Sequence, residues 1–442
     1  MLTATRASVR CAWAIACAAL GPGRPCVSGA IRGCARVNLV PQLPRAWIGR
    51  KSFDERGNTA VNATMDTTSD DELIDCIEAL LTPLLTTMEM LGQVSRHLHP
   101  PKAQQLASWL APQQVAVGEP TARLRAALPP GDAQSGAAAV SRRLLEVADE
   151  VQAALQGFQA GAGAPDPMPM YRALRRQTQA LALLYPLAPV LLPVSQLFVE
   201  PALRGNAVLL RELAAAGAQL PDAARPLGVV NAGNEREERG GFTLYVPENY
   251  DPEREWPLII ACHGGSGHGA DFLWSWLREA RTRGCLLLAP TSIDRTWSII
   301  EPGDQDAPNI KGMIDFVGQR YRIDSSRVLL TGMSDGGTYA LLAGLSGTLP
   351  VTHLAPFSGV LHPFLYDNGG ILRAAGMPIY LVHGVLDWMF PVDRARLGAE
   401  LLTKAGAQLT YREIEDLSHT YARDENERVL DWFGVPAPDA AP

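Results

Sequence analysis

From Gly228 onward the chain repeats one pattern: a short β-rich run, then enough residues for a helix. The runs are "FTLYVP", "PLIIACHGG", "CLLLAP", "RVLLTG", "THLAPFSG", "IYLVHG" and "LTYREIED". Several are almost continuously apolar, which a strand tolerates when both faces of its sheet are covered. The stretches between them can hold crossover helices. The pattern predicts a mostly parallel α/β sheet flanked by helices over residues 225–437.

Ahead of it lies a different kind of sequence. Leu73, Ile77, Leu80, Leu84, Met88 and Leu91 recur at helical steps, as do Val140, Leu144, Val147, Val151, Leu155 and Phe158. Ser69 and Glu72 make a capping-box pattern before the first stripe, and Pro83 should bend it. Further helices are expected over about 168–185 and 206–216. Residues 68–220 thus read as a small all-helical domain whose stripes are core. Its role is unassigned by sequence; the two options are packing beside or over the catalytic edge, and docking elsewhere for stability or dimerisation. Pro186, Pro189 and Pro193 argue against a membrane helix over residues 180–199 and predict a bent, extended connection there.

The first 64 residues differ again. They hold nine Arg and Lys against two acids, a net of +7, so a whole-chain charge of −7 leaves −14 for the remainder. Four of the seven cysteines also fall within the first 34 residues. "CAWAIACAAL" is long enough only for a signal-peptide core, and the Arg-rich start also suits a transit peptide or an untranslated extension with Met65 as the working start. Residues 1–66 are expected to be disordered or removed, and the protein to be cytoplasmic unless 1–64 target it elsewhere. The acidic remainder argues against a nucleic-acid partner. Cys262 and Cys285 lie in apolar runs and read as buried free thiols.

The chemistry centres on "LTGMSDGGTYA". A G-x-S-x-G match alone means little in a chain with 40 glycines. Here, however, Ser334 follows the strand-like Val328–Leu330 and precedes a helix-compatible run, the context of a nucleophile elbow. Side chains at Gly332 or Gly336 would clash with strand or helix. Asp387 follows the strand in "IYLVHGVLDWMFP", and His419 follows the next in "YREIEDLSHTY". Serine, acid and histidine in that order suit a triad in which His419 moves the Ser334 proton and Asp387 orients the ring. "LIIACHGGSGHG" would supply the oxyanion loop, with the backbone N–H groups of Gly265 and Asp335 as donors.

The motifs "HGGSG", "GMSDGG", "HGVLDWMFP" and "LSHTY" resemble those of α/β-hydrolase esterases, nearest the phospholipase/carboxylesterase and polyhydroxybutyrate-depolymerase-like groups. The resemblance covers roughly residues 225–437. It implies a serine carboxylic-ester hydrolase without metal or organic cofactor, acting on a small-molecule or lipid-like ester. One departure stands out: Ser418 precedes His419 where these families commonly have glycine.

Each residue has a plainer reading. Asp387 could cap a helix, and Asp367 in "LYDNGG" is a rival acid. His263 and His383 read as turn-shaping residues, while His268 faces either pocket or solvent. Trp274, Trp276, Trp297 and Trp388 fall near the catalytic edge and would line an acyl pocket or pack the core. Acyl transfer, a peptidase on the same scaffold, and a non-catalytic binding protein are the competing functions.

Overall fold

A computed structural model describes residues 67–129, 135–217, 225–299, 303–367 and 369–439, together with the strand Val37–Leu39. The remainder of the leader, including Met65, lies outside the described residues, as does the Ser69 side chain. Among the described residues no helix is long and apolar enough to cross a membrane. The chain divides into two compact units.

The first unit contains α1 (Thr67–His97) as far as Leu91, and then Ala107–Leu197. The latter comprises the end of α2 (Ala103–Leu110), then α3 (Gln113–Ala127), α4 (Gly136–Gly161), α5 (Met168–Leu184) and α6 (Leu192–Leu197). Both predicted apolar stripes are buried. Helices α4 and α5 approach closely where Gly157 faces Ala173; a Cβ on the glycine would lie 2.9 Å from that of Ala173. Pro83 sits inside α1, which is helical throughout, and the Pro83 carbonyl accepts the Thr87 hydroxyl at 2.8 Å.

The proline-rich stretch departs from the sequence expectation. It is bent but not extended: a 3₁₀ turn at Tyr185–Leu187 is followed by α6. Pro186 and Pro193 both occupy first-turn positions, where a missing N–H costs no intrahelical hydrogen bond.

The second unit gathers Gly92–Leu106, the strand Val37–Leu39 and the chain from Phe198 onward. Part of the stretch read as a separate helical domain therefore groups with the sheet. Val199 and Leu203 form a small core with Leu209, Leu210 and Leu213 of α7 (Ala207–Gly217). An apolar stripe signals that a helix is buried, and says nothing about which core receives it.

Among the described residues the sheet has nine strands, in the order β1-β2-β3-β5-β4-β6-β7-β8-β9. These are β1 (Val37–Leu39), β2 (Gly228–Ala232), β3 (Phe242–Val246), β4 (Trp256–Cys262), β5 (Leu286–Pro290), β6 (Ile323–Met333), β7 (His353–Phe357), β8 (Pro378–Gly384) and β9 (Gln408–Ile414). β1, β2, β3 and β5 pair antiparallel in turn, and every pairing from β5 through β4 to β9 is parallel. β4 and β5 are buried along their whole lengths, as their apolar runs require. The accompanying helices are α8 (Leu277–Arg283), α9 (Asp306–Gly318), α10 (Asp335–Gly344), α11 (Val392–Lys404) and α12 (Asn426–Trp432). The parallel strands all end at one edge, which is where the candidate site forms.

Candidate active site

Ser334 stands between β6 and α10 with φ 59° and ψ −118°, a left-handed conformation rare outside glycine. Its surroundings hold it there. Ser334 N–H donates to the Phe357 carbonyl at 2.9 Å, and its own carbonyl accepts from Thr338 N–H at 2.9 Å. The flanking glycines permit the turn. A Cβ at Gly332 would lie 2.4 Å from the Gly336 carbonyl oxygen, and one at Gly336 would lie 2.3 Å from that of Cys262.

The structure brings Ser334, His419 and Asp387 together, all three buried. His419 Nε2 lies 2.9 Å from Ser334 Oγ. On its other side, Nδ1 lies 2.8 Å from Asp387 Oδ2 and 3.0 Å from Oδ1. The imidazole thus bridges hydroxyl and carboxylate. Asp367, the rival acid, is exposed at the end of a single helical turn.

The acid has support that sequence reading missed. Asp387 Oδ1 also accepts the backbone N–H groups of Met389 and Phe390, at 3.0 and 2.8 Å. His383 Nε2 donates to the Phe390 carbonyl at 2.8 Å and lies 3.6 Å from Asp387 Oδ2. Burial holds the His383 imidazole below its ordinary pKa, against the opposing pull of the Phe390 carbonyl and the Asp387 carboxylate. His383 is therefore a neutral brace for the acid's loop. Phe390 closes one side of the His419 ring, edge-on to it at 5.3 Å.

The glycine loop after β4 lies against the serine. A Cβ at Gly264 would lie 3.6 Å from Ser334 Cβ, and one at Gly265 would lie 2.6 Å from Asp335 Oδ2. Asp335 opens α10, so its N–H has no acceptor within the helix. Its carboxylate accepts the Thr296 hydroxyl at 2.6 Å. His263 shapes the loop: Nε2 accepts from Ser292 N–H at 3.1 Å, which leaves Nδ1–H to donate to the Gly264 carbonyl at 2.7 Å. His268 is buried, its Nδ1 accepting from Ala270 N–H and its Nε2–H donating to the Glu238 carbonyl.

The tryptophans separate by environment. Trp297 is buried, donates Nε1–H to the His263 carbonyl at 2.7 Å and stacks on Tyr339 with ring centroids 5.0 Å apart. Tyr339 in turn donates its hydroxyl to Asp304 at 2.9 Å, and burial pushes its pKa up. Trp297 is thus a pillar under the glycine loop. Trp274 and Trp276 are buried too, Trp274 tilted against Phe198 at 5.9 Å. Trp388 is exposed beside Asp387, so among the four it is the one available to a ligand. Cys262 and Cys285 are buried and free, and burial raises both thiol pKa values. Among the described residues no cluster of three or more His, Cys, Asp or Glu side chains could hold a metal ion.

Residues 302–433, which contain all three bridged side chains, match the phospholipase/carboxylesterase family model. A probable feruloyl esterase C of Aspergillus terreus is 26% identical over 34% of this chain and 56% of its own length. An acyl-protein thioesterase 1 of Gibberella zeae is 26% identical over 39% of this chain and 86% of its own. The chain thus spans about half the length of the first of these relatives. A solved thermostable esterase aligns over 45% of this chain and 59% of its own at 21% identity, with a TM-score of 0.38. An acetyl xylan esterase from Aspergillus awamori aligns over 44% and 94% at 16% identity, with a TM-score of 0.37. By its strand order, its strained serine turn and the family match over residues 302–433, the second unit of this chain has the fold of the α/β-hydrolases.

Proposed function

We propose that this protein is a serine hydrolase that cleaves carboxylic esters through an acyl-serine intermediate. The observation that carries the proposal is the His419 imidazole, with one ring nitrogen on the Ser334 hydroxyl and the other on the Asp387 carboxylate. A serine alcohol is a poor nucleophile without a base, and the carboxylate selects the tautomer in which Nε2 is free to act as one. Ser334 Oγ attacks the ester carbonyl carbon as His419 Nε2 takes its proton. The tetrahedral oxyanion is met by the N–H groups of Gly265 and Asp335, each worth about 3–4 kcal/mol in such sites. Collapse breaks the bond to the alcohol oxygen, which receives the proton from His419. Water, deprotonated by the same nitrogen, then releases the acid and restores the serine.

The relatives' names, feruloyl esterase and acyl-protein thioesterase, support acyl-ester chemistry and leave the acyl and alcohol groups open. The test combines a fluorophosphonate probe with p-nitrophenyl esters from acetate to palmitate. The expected result is covalent labelling and ester turnover in the native protein, with both abolished in Ser334→Ala. Normal turnover by Ser334→Ala would overturn the reading. The same ester series identifies the preferred acyl length.

A further inference from the structure

The segment Arg96–His99 comes from far upstream of the sheet, yet belongs to the second unit. It ends α1 and lies against the loop that carries His419. Both chain neighbours of the catalytic histidine are tied to it. Ser418 Oγ lies 3.1 Å from His99 Nδ1, and the Thr420 hydroxyl donates to the Arg96 carbonyl at 2.9 Å.

A second set of bonds brackets the loop. Arg96 is buried, and its guanidinium reaches two carboxylates on opposite sides of His419. Nε donates to Asp424 Oδ1 at 2.6 Å, while Nη2 donates to Asp416 Oδ1 at 3.2 Å and to Asp424 Oδ2 at 3.3 Å. The planar fork of arginine suits this double engagement, which the single point charge of lysine does not reproduce. His97 adds a contact of 3.4 Å to the other oxygen of Asp416. The loop from Asp416 to Asp424 is therefore closed on one side chain.

The serine that departs from the resembling families' motif has its use here. Ser418 Oγ donates to the Leu386 carbonyl at 3.3 Å as well as meeting His99. Leu386 directly precedes Asp387, and its N–H donates to the Leu417 carbonyl at 3.0 Å. The histidine and acid loops are thus pinned to each other through the same hydroxyl that the upstream segment holds. Glycine at 418 could make neither side-chain contact.

We infer that Arg96 and His99 are positioning residues for the proposed base, fixing the His419 loop from a segment outside the sheet. The inference rests on the reading of His419 as general base. Loops carry catalytic groups accurately only when neighbouring structure over-determines them, and a misplacement of about 1 Å can cost ~100-fold in rate. Arg96 touches neither serine nor imidazole, so its effect must pass through His419.

The test uses the full chain, with kcat and KM measured on a p-nitrophenyl ester. Arg96→Met should lower kcat by roughly 10- to 100-fold and leave KM within about twofold. Arg96→Lys should recover part of the loss. In a His419→Ala background, Arg96→Met should change the residual rate less than about twofold, because the group it acts through is gone. Thr420→Val removes one tie without touching a buried charge, and should lower kcat in the same direction if Arg96→Met does not fold. A folded Arg96→Met or Thr420→Val protein with native kcat overturns the inference, as does an undiminished effect in the His419→Ala background. Ser334→Ala separates the two levels. If that variant is dead while the clamp variants are fully active, only the clamp fails; if it is active, the underlying reading fails.

Discussion

Phe390 donates its backbone N–H to Asp387 Oδ1 at 2.8 Å, so the carboxylate that meets His419 is also the anchor of its own loop. With the Met389 bond, the two N–H groups fix the acid's orientation before the imidazole is considered. Asp387→Asn should therefore keep its place, since an amide oxygen can accept both bonds. Its NH₂ would then face His419 Nδ1 and force the proton onto Nε2, where it blocks the serine. A fall in kcat of about 10⁴-fold with little change in melting temperature is expected. A variant that loses its fold instead would show that the carboxylate is chiefly a structural anchor. Esterase assay and thermal melt on one preparation decide between these outcomes.

The turn at Ser334 makes a sharper structural prediction. In Gly336→Ala the new methyl would lie 2.3 Å from the Cys262 carbonyl oxygen and 2.4 Å from that of His263. Both are backbone atoms, of the end of β4 and of the glycine loop after it, so neither can move aside alone. The variant should be inactive and poorly folded. Gly118→Ala is the control, because nothing lies within 4 Å of the added carbon in the middle of α3. That variant should gain about 0.5–1 kcal/mol from better helix propensity. Urea midpoints for the two proteins give the comparison.

What could be read from sequence follows what local pattern encodes. Ser334, Asp387 and His419 each follow the carboxyl end of a strand-like run, and a parallel sheet delivers such positions to one edge whatever the helices do. Arg96 has no such marker. Its partners Asp416 and Asp424 lie more than 300 positions away, and nothing near Arg96 distinguishes it from a solvated helix-end charge. Val94 and Leu98 continue the stripe of α1 without a break although the chain passes from one unit to the other, which hides the boundary at Gly92. The three prolines before Phe198 were visible. For Pro186 and Pro193, tolerance in first turns rather than breaking power governs that stretch.

The chain entering the second unit carries a buried ion cluster. Glu200 and Arg283 pair at 2.6 and 3.2 Å with both side chains almost fully buried, and Arg283 also reaches Asp431 and the Val435 carbonyl. Removing Glu200 leaves the buried guanidinium with only the largely exposed Asp431 and a carbonyl as partners. Glu200→Ala should cost about 3–5 kcal/mol, seen as a large drop in denaturant midpoint. Glu400→Ala breaks an exposed pair with Lys404 and should leave the denaturant midpoint almost unchanged. Equal effects from the two substitutions would contradict the burial argument.

Stability should depend on pH through histidines held neutral. Burial lowers the pKa of His383, and burial also lowers that of His353, whose ring lies edge-on to Trp432 and Phe433. Burial, with Lys102 adding to it, does the same for His99. Above the unfolded value of about 6.5, both states leave these rings neutral and stability is independent of them. As pH falls below it, the unfolded chain binds protons that the native protein refuses, so stability drops until the lower native values are passed. Urea midpoints measured from pH 8 to pH 5 should decline most steeply below about 6.5. His383→Gln keeps a donor for the Phe390 carbonyl and cannot titrate, so it should flatten that decline. An unchanged slope in His383→Gln would assign the acid sensitivity to groups other than this ring.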